Sequence, residues 1–396
     1  MKRPFHVSPY FQIVLPLAIG ETLVWGATFY LFPGLLLTWE QDLGWSKGVL
    51  SGAFTAALLV SAIMAPIMGR QIDRGIGKWV FVIGCVISGI ALIFMSQVTA
   101  VWHFYAAWIA LGVGMAGTLY EPCFALITHF LLDRRKQAIT IVTLFAGFAS
   151  TISFPTSFNL INRLGWRPTV QIFAGVVLFV VLPLLWLGAV NAERFGDSST
   201  KKETTQQSSS INVLRNPMFW LLAVGYIAMA LNHSVLLTHL LPLLNERGIS
   251  EETAVFAASM IGPMQVAGRI GMILAEKRLT AMLMLGGCFV AMMFSAVSFY
   301  SILLLPLLLI PAIILQGGAN GIISILRPVV TADLLGEENF GVISGMLALP
   351  FLAGSAFAPT LAAIIWQEGG YDIVIIFAGG IAFVGLMSLV AAGRLK

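Results

Sequence analysis

The chain has 396 residues, 58% of them hydrophobic and only 10% charged, and a formal net charge of +4 at neutral pH. A soluble globular domain carries about 25% charged residues, so this composition excludes a soluble protein. The basic balance raises nucleic acid as a partner, but its distribution along the chain, set out below, removes that reading.

Twelve apolar stretches follow one another, at roughly 11–37, 48–68, 79–97, 102–131, 137–162, 168–190, 216–244, 252–274, 279–299, 302–331, 340–366 and 372–392. A bilayer-spanning helix needs about 20 such residues. The first stretch is not followed by a small-residue cleavage site, so it reads as a retained helix. With twelve spans and an interior N-terminus, sixteen of the 22 Lys and Arg fall in inside loops. Four (Lys47, Arg163, Arg167 and Arg247) fall outside, while Arg269 and Arg327 sit at or within helices. This bias places both termini in the cytoplasm. Cys85, Cys123 and Cys288 all lie in spans, without metal-ligand spacing or a disulfide framework, and read as small packing residues.

One long polar stretch, 191–215, is rich in Ser, Thr, Gln and Lys and reads as a flexible cytoplasmic linker. It divides the chain into an N-terminal six-helix bundle, 1–190, and a C-terminal six-helix bundle, 216–396. The other connections are short and leave no room for an enzyme or receptor domain. At an offset of 204 residues, Phe173-Ala174-Gly175 falls on Phe377-Ala378-Gly379, Pro155-Thr156 on Pro359-Thr360 and Gly165 on Gly369. These matches suggest a duplicated unit, a plan that puts a transporter's site between its repeats. The expected fold is an all-α membrane protein: twelve transmembrane helices in two pseudo-symmetric six-helix bundles.

The loop after the second span reads Gly69-Arg70-Gln71-Ile72-Asp73-Arg74-Gly75-Ile76-Gly77-Lys78. It resembles the G-x-x-x-D-R/K-x-G-R/K-R/K loop of the major facilitator superfamily, at the position that family uses. It departs at the end, where the second Gly arrives one place late and one basic residue is missing. Gly268-Arg269 looks like a degenerate copy in the second half. Gly44-Trp45-Ser46, Leu50-Ser51-Gly52-Ala53-Phe54 and Tyr120-Glu121-Pro122 resemble bacterial members near the monocarboxylate and oxalate/formate group. The resemblance implies a bacterial inner-membrane protein and organic-anion substrates, and assigns gating to Gly69, Asp73 and Arg74. Charge-assisted bonds between that loop and neighbouring helix ends would hold the cytoplasmic side closed; the alternative is that its basic residues only set topology.

The family lines its central cavity with helices 1, 4, 7 and 10, and ionisable residues fall on three of these: Glu21, Glu121 and Arg327. A charge at the centre of a bilayer helix costs roughly 2.5–3.5 kcal/mol on insertion scales, so such residues face an interior and are functional by default. At 1.5 Å per residue, all three lie about 15–18 Å from the cytoplasmic loops. Arg offers a planar donor fork for carboxylate or phosphate, and a Glu taken out of water can load and release a proton. Glu121 and Glu21 are the candidate proton carriers. The other reading is a structural Glu121–Arg327 ion pair. Trp25 and Thr28 share a helical face with Glu21. Asn320 and Ser324 share one with Arg327, and Tyr226 precedes His233, beside Asn232, on helix 7. Pro122 and Pro328 give up bonds to the carbonyls of Thr118 and Ser324, so a bend is expected at each.

No Gly-x-x-x-x-Gly-Lys-Ser/Thr loop occurs, so direct ATP use is not expected. The expected function is a secondary transporter of a small anionic solute working by alternating access, with proton coupling. Its partners are substrate, protons and lipid; no cofactor, metal, nucleic acid or enzymatic activity is expected, and the chain is expected to be a monomer. The alternatives are an exporter of amphipathic compounds or of a carboxylate-type metal chelator, and a membrane solute sensor.

Overall fold

A computed structural model describes residues 8–131, 134–195, 214–336 and 340–395. Most of the 191–215 linker therefore lies outside the described residues, as do Asp133, Glu337 and the Asp73 side chain. Among the described residues the protein is all-helical, without strands. Helices satisfy every backbone donor and acceptor internally, which hydrocarbon demands. Ten helical runs among the described residues are long and apolar enough to cross a membrane.

Two units divide the chain: Met1–Trp45 with Ala56–Lys202, and Ser46–Thr55 with Glu203–Lys396. The first is built from α1 (Pro9–Ala27), α2 (Leu31–Leu43), most of α3 (Lys47–Gln71), α4 (Gly77–Met95), α5 (Val101–Ala116), α6 (Tyr120–Phe130), α7 (Arg135–Ala146), α8 (Ala149–Leu164), α9 (Trp166–Val176) and α10 (Leu182–Phe195). Here α1 packs on α7, α8 and α10, and α4 on α5, α9 and α10. The second holds α11 (Pro217–Thr238), α12 (Leu240–Glu246), α13 (Glu251–Ala275), α14 (Ala281–Tyr300), α15 (Leu309–Leu335) and α16 (Phe340–Arg394). There α11 packs on α16, and α15 on both α13 and α14.

Several apolar runs that read as single spans are interrupted. The run 102–131 stops at Ala116 and restarts at Tyr120, with Leu119 extended (φ −86°, ψ −162°). Pro122 therefore sits in the first turn of α6, where its missing N–H costs nothing, so the expected bend is a break three residues earlier. Pro328, by contrast, lies inside an unbroken α15. The run after Phe340 breaks at Gly369 and Gly370, whose φ of 68° suits glycine. In the loop after α3, Gly75 has φ 81°. A Cβ on Gly77 would press on Leu126 of α6, at 2.9 Å, so the late glycine serves close approach.

Helices without a hydrophobic drive between them pack through small residues. A Cβ on Gly112 would overlap the Ala57 carbonyl of α3, and one on Gly268 the Gly318 carbonyl of α15. Gly112→Ala is expected to lower stability by about 1–3 kcal/mol through overpacking. Gly175→Ala, where the new methyl meets nothing within 4 Å, should stay within about 0.5 kcal/mol of the parent. Thermal melting in detergent compares the two; equal melting temperatures would contradict the packing argument.

Candidate functional site

In the first unit, α1 presents Glu21 and, one turn on, Trp25. Glu21 is fully buried. The groups facing it are the Cys123 thiol, the Trp25 indole and the Glu121 carboxylate. Glu121 is exposed and occupies the first turn of α6, where the helix dipole favours an anion. The break at 117–119 thus places an acid at a new helix start inside an apolar run. Above this pair, the Trp25 ring lies 5.1 Å from Phe29 and 4.8 Å from Tyr120, and Tyr120 stacks on Phe124 at 4.9 Å. All four rings are half-buried. The Trp25 indole N–H is buried and faces the Glu21 carboxyl. Thr28 does not join this face: it ends α1, with its hydroxyl donating to the Val24 carbonyl at 2.6 Å.

The second unit carries the basic groups. The Arg327 guanidinium lies 4.0 Å from the centre of the Phe351 ring. The Tyr226 hydroxyl is 2.8 Å from both the Arg327 carbonyl and Thr331 Oγ1, and Thr331 Oγ1 donates to that carbonyl at 2.9 Å. Tyr226 is 1% exposed, so it fixes α15 beside Arg327 and presents no free hydroxyl. Tyr226→Phe should cost about 1 kcal/mol of stability, read by melting; an unchanged melting temperature would remove it as a brace. Arg269, on α13, is buried and extends Nη2 to Ser324 Oγ and Nε to the Gly321 carbonyl, both at 3.4 Å. Two guanidinium-bearing residues thus flank Ser324, Arg327 one helical turn away along α15.

Beside them runs a buried amide chain. Gln316 Nε2 donates to Asn232 Oδ1, and Asn232 Nδ2 to the Ala378 carbonyl, each at 2.9 Å. The Gln316 Oε1 acceptor and His233 Nδ1 are buried without partners. Asn320 is half-buried.

Three of these participants escape the sequence reading. Arg269 reads as a loop-motif copy, yet it belongs to a buried helix face. Gln316, in the apolar run Ile314–Leu315–Gln316, is legible only as a lone polar residue there. Cys123 reads as packing, and only its approach to Glu21 gives it more. Of the loop residues, Gly69 is half-buried, and a Cβ added there would meet nothing within 4 Å. Arg74 is exposed with Nη1 3.5 Å from Gln71 Oε1. Lys78 forms an ion pair with Glu193 at 2.8 Å, worth about 0–1 kcal/mol when so exposed. No cluster of three or more His, Cys, Asp or Glu able to hold a metal occurs among the described residues.

The sequence profile of the Major Facilitator Superfamily matches residues 17–310. The chain belongs to that superfamily. It is 23% identical over 361 residues to monocarboxylate transporter 12-B of Danio rerio, covering 82% of this chain and 74% of the relative. A shorter match, 35% over 99 residues and 25% of each chain, is to multidrug resistance protein MdtL of Klebsiella pneumoniae strain 342. Among solved structures, a bacterial homologue of the human lysosomal transporter Spinster, inward-facing and occupied, aligns with TM-score 0.74 at 16% identity, over 98% of both chains. The nucleoside transporter NupG aligns equally well at 13% identity, over 98% of this chain and 100% of its own. At such identities the structures speak for the fold. This superfamily member is a multi-pass membrane protein of a transporter family, and its relatives are transporters rather than enzymes.

Proposed function

We propose that the protein is a secondary transporter of a small anionic organic solute, coupled to protons and working by alternating access. The observation that carries the coupling is Glu21. A carboxyl in mid-helix, fully buried and faced by a thiol, an indole and a second carboxylate but by no cation among these groups, is tolerated in an apolar site as the neutral acid far better than as the anion. Glu121 nearby strengthens this, since two adjacent carboxylates resist ionising together. An anionic solute is favoured by Arg327 and Arg269 on either side of Ser324, because guanidinium forks match carboxylates. In the first unit Trp25 accompanies Glu21 and Glu121 as a proposed substrate-binding residue; in the second, Tyr226, His233, Asn320 and Ser324 accompany Arg327, with Tyr226 acting as a brace.

The finer architecture belongs to the same reading. Splitting the run after Phe340 at Gly369–Gly370 and counting α13 as a span gives twelve spans in two six-helix bundles, 1–190 and 216–396, joined by 191–215. α13 is 25 residues long but carries buried Gln265 and Arg269. The duplication gains support from Gly114 and Gly117, which fall on Gly318 and Gly321 at the offset of 204. Gly69, Asp73 and Arg74 gate the cytoplasmic side of a monomer in the bacterial inner membrane, both termini inside.

Proteoliposome uptake under an imposed pH gradient tests the proposal, and binding without flux would overturn it in favour of a sensor. The aromatic cleft of Trp25, Phe29, Tyr120 and Phe124 favours a second reading, export of amphipathic compounds. Under that reading, efflux of a fluorescent amphiphile would respond to Trp25→Ala while carboxylate uptake is absent.

A further inference from the structure

Within the second unit lies a groove of about 920 Å³, at the upper end of the range for ligand sites, about 300–1,000 Å³. Its walls come from α13, α14, α15 and α16 and include Met272, Leu283, Ile322 and Leu386. Three glycines open it: an added Cβ would meet nothing within 4 Å at Gly271 or Gly287, and only the tip of Leu386 and Leu389 at Gly286. From the cap residue Thr280 the lining runs along α14 to Ala291, about 16 Å at helical rise. Thr280, whose hydroxyl accepts from the Leu283 amide, supplies a polar edge at one end. The rest of the lining is apolar side chain and glycine.

Charge gathers at that same end. Lys277 and Arg278, exposed, immediately precede the lining residues Leu279 and Thr280. Arg394, also exposed, follows the lining residue Val390 by one helical turn of α16. Its neighbour Gly393 abuts Met282 near the start of α14, which brings Arg394 to the Thr280 end. Three cations from two elements therefore surround one mouth of an apolar trench, with Glu276 as the acid among them. A solute moving through a polar pathway has no use for such lining, while an acyl chain beneath an anionic head group matches both parts.

We propose that this groove is a binding site for an anionic phospholipid, its acyl chain lying along Gly271, Gly286 and Gly287 and its phosphate held by Lys277, Arg278 and Arg394. Basic clusters at the end of membrane helices attract anionic lipid by about 1 kcal/mol per cation. The chain at the glycines supplies the selectivity that charge alone lacks.

The test uses the full chain purified in detergent, with phosphatidylglycerol and phosphatidylcholine as probes, read by native mass spectrometry and by melting temperature. Phosphatidylglycerol is expected to remain bound at one per chain and raise the melting temperature, phosphatidylcholine to do neither, and free glycerol phosphate to have no effect. The triple variant Lys277→Ser, Arg278→Ser, Arg394→Ser should retain phosphatidylglycerol at least about tenfold less while melting like the parent without lipid. Gly287→Phe, which fills open space, should also lose it. Equal retention of the two lipids, undiminished retention in either variant, or an equal effect of glycerol phosphate would each overturn the proposal.

Discussion

Glu21→Gln is expected to leave solute exchange intact and to abolish accumulation driven by a pH gradient. Glutamine keeps the size and the polar oxygen of the side chain but has no proton to load. That oxygen still faces the Cys123 thiol and the Trp25 indole, so the substitution should not unfold α1. One pH unit corresponds to 1.36 kcal/mol, or a factor of ten. A carrier moving one proton with one monovalent anion is electroneutral and thus accumulates the anion about tenfold under a one-unit gradient, and the variant about onefold. Counterflow of labelled substrate in the same proteoliposomes supplies the control. Glu121→Gln, tested in parallel, separates the two carboxyls. Accumulation that survives in both variants would mean that the proton rides elsewhere.

Arg327→Gln should remove binding of the anionic solute without removing the fold. Truncating one partner of a desolvated charge pair costs about 2–5 kcal/mol, at least a thirtyfold loss of affinity. Arg327→Lys should recover part of it, since an ammonium keeps the charge but lacks the planar fork. The brace formed by Tyr226 and Thr331 uses the Arg327 carbonyl, which the substitution leaves in place, so the helix should keep its position. The readout is the ligand-induced shift in melting temperature across a panel of monocarboxylates and dicarboxylates. Unchanged affinity in a variant that melts like the parent would take Arg327 out of the site. Retained Arg327 dependence together with lost lipid retention would concern the groove alone.

Parts of this arrangement can be read directly from residue spacing. Glu21 and Trp25 are four apart, and on a helix that spacing alone puts them on one face. Ser324 and Arg327 are adjacent for the same reason. Pro122 shows where such reading stops. A proline in an apolar run marks either a kink or a first turn, and the hydrophobicity of 102–131 is the same in both cases. The extended backbone at Leu119 decides for a first turn, and with it Glu121 becomes a residue of a helix start. Arg269 shows a complementary limit: spacing puts it at or within a helix, while its reach to Gly321 and Ser324 depends on a neighbouring helix.

The sequence by itself determined that the chain is a helical membrane protein of this superfamily and which few charges fall within its apolar runs. Transfer of each segment from water to hydrocarbon depends on that segment's own composition, and it needs no partner. Tertiary structure decided that Glu21 meets Cys123 and Glu121, that Arg269 meets Ser324, and that three glycines open a trench ending in three cations. Those outcomes depend on how closely helices approach, which is set at contacts such as Gly112 on Ala57 and Gly268 on Gly318. Such contacts join residues far apart in the chain, and no local pattern encodes them.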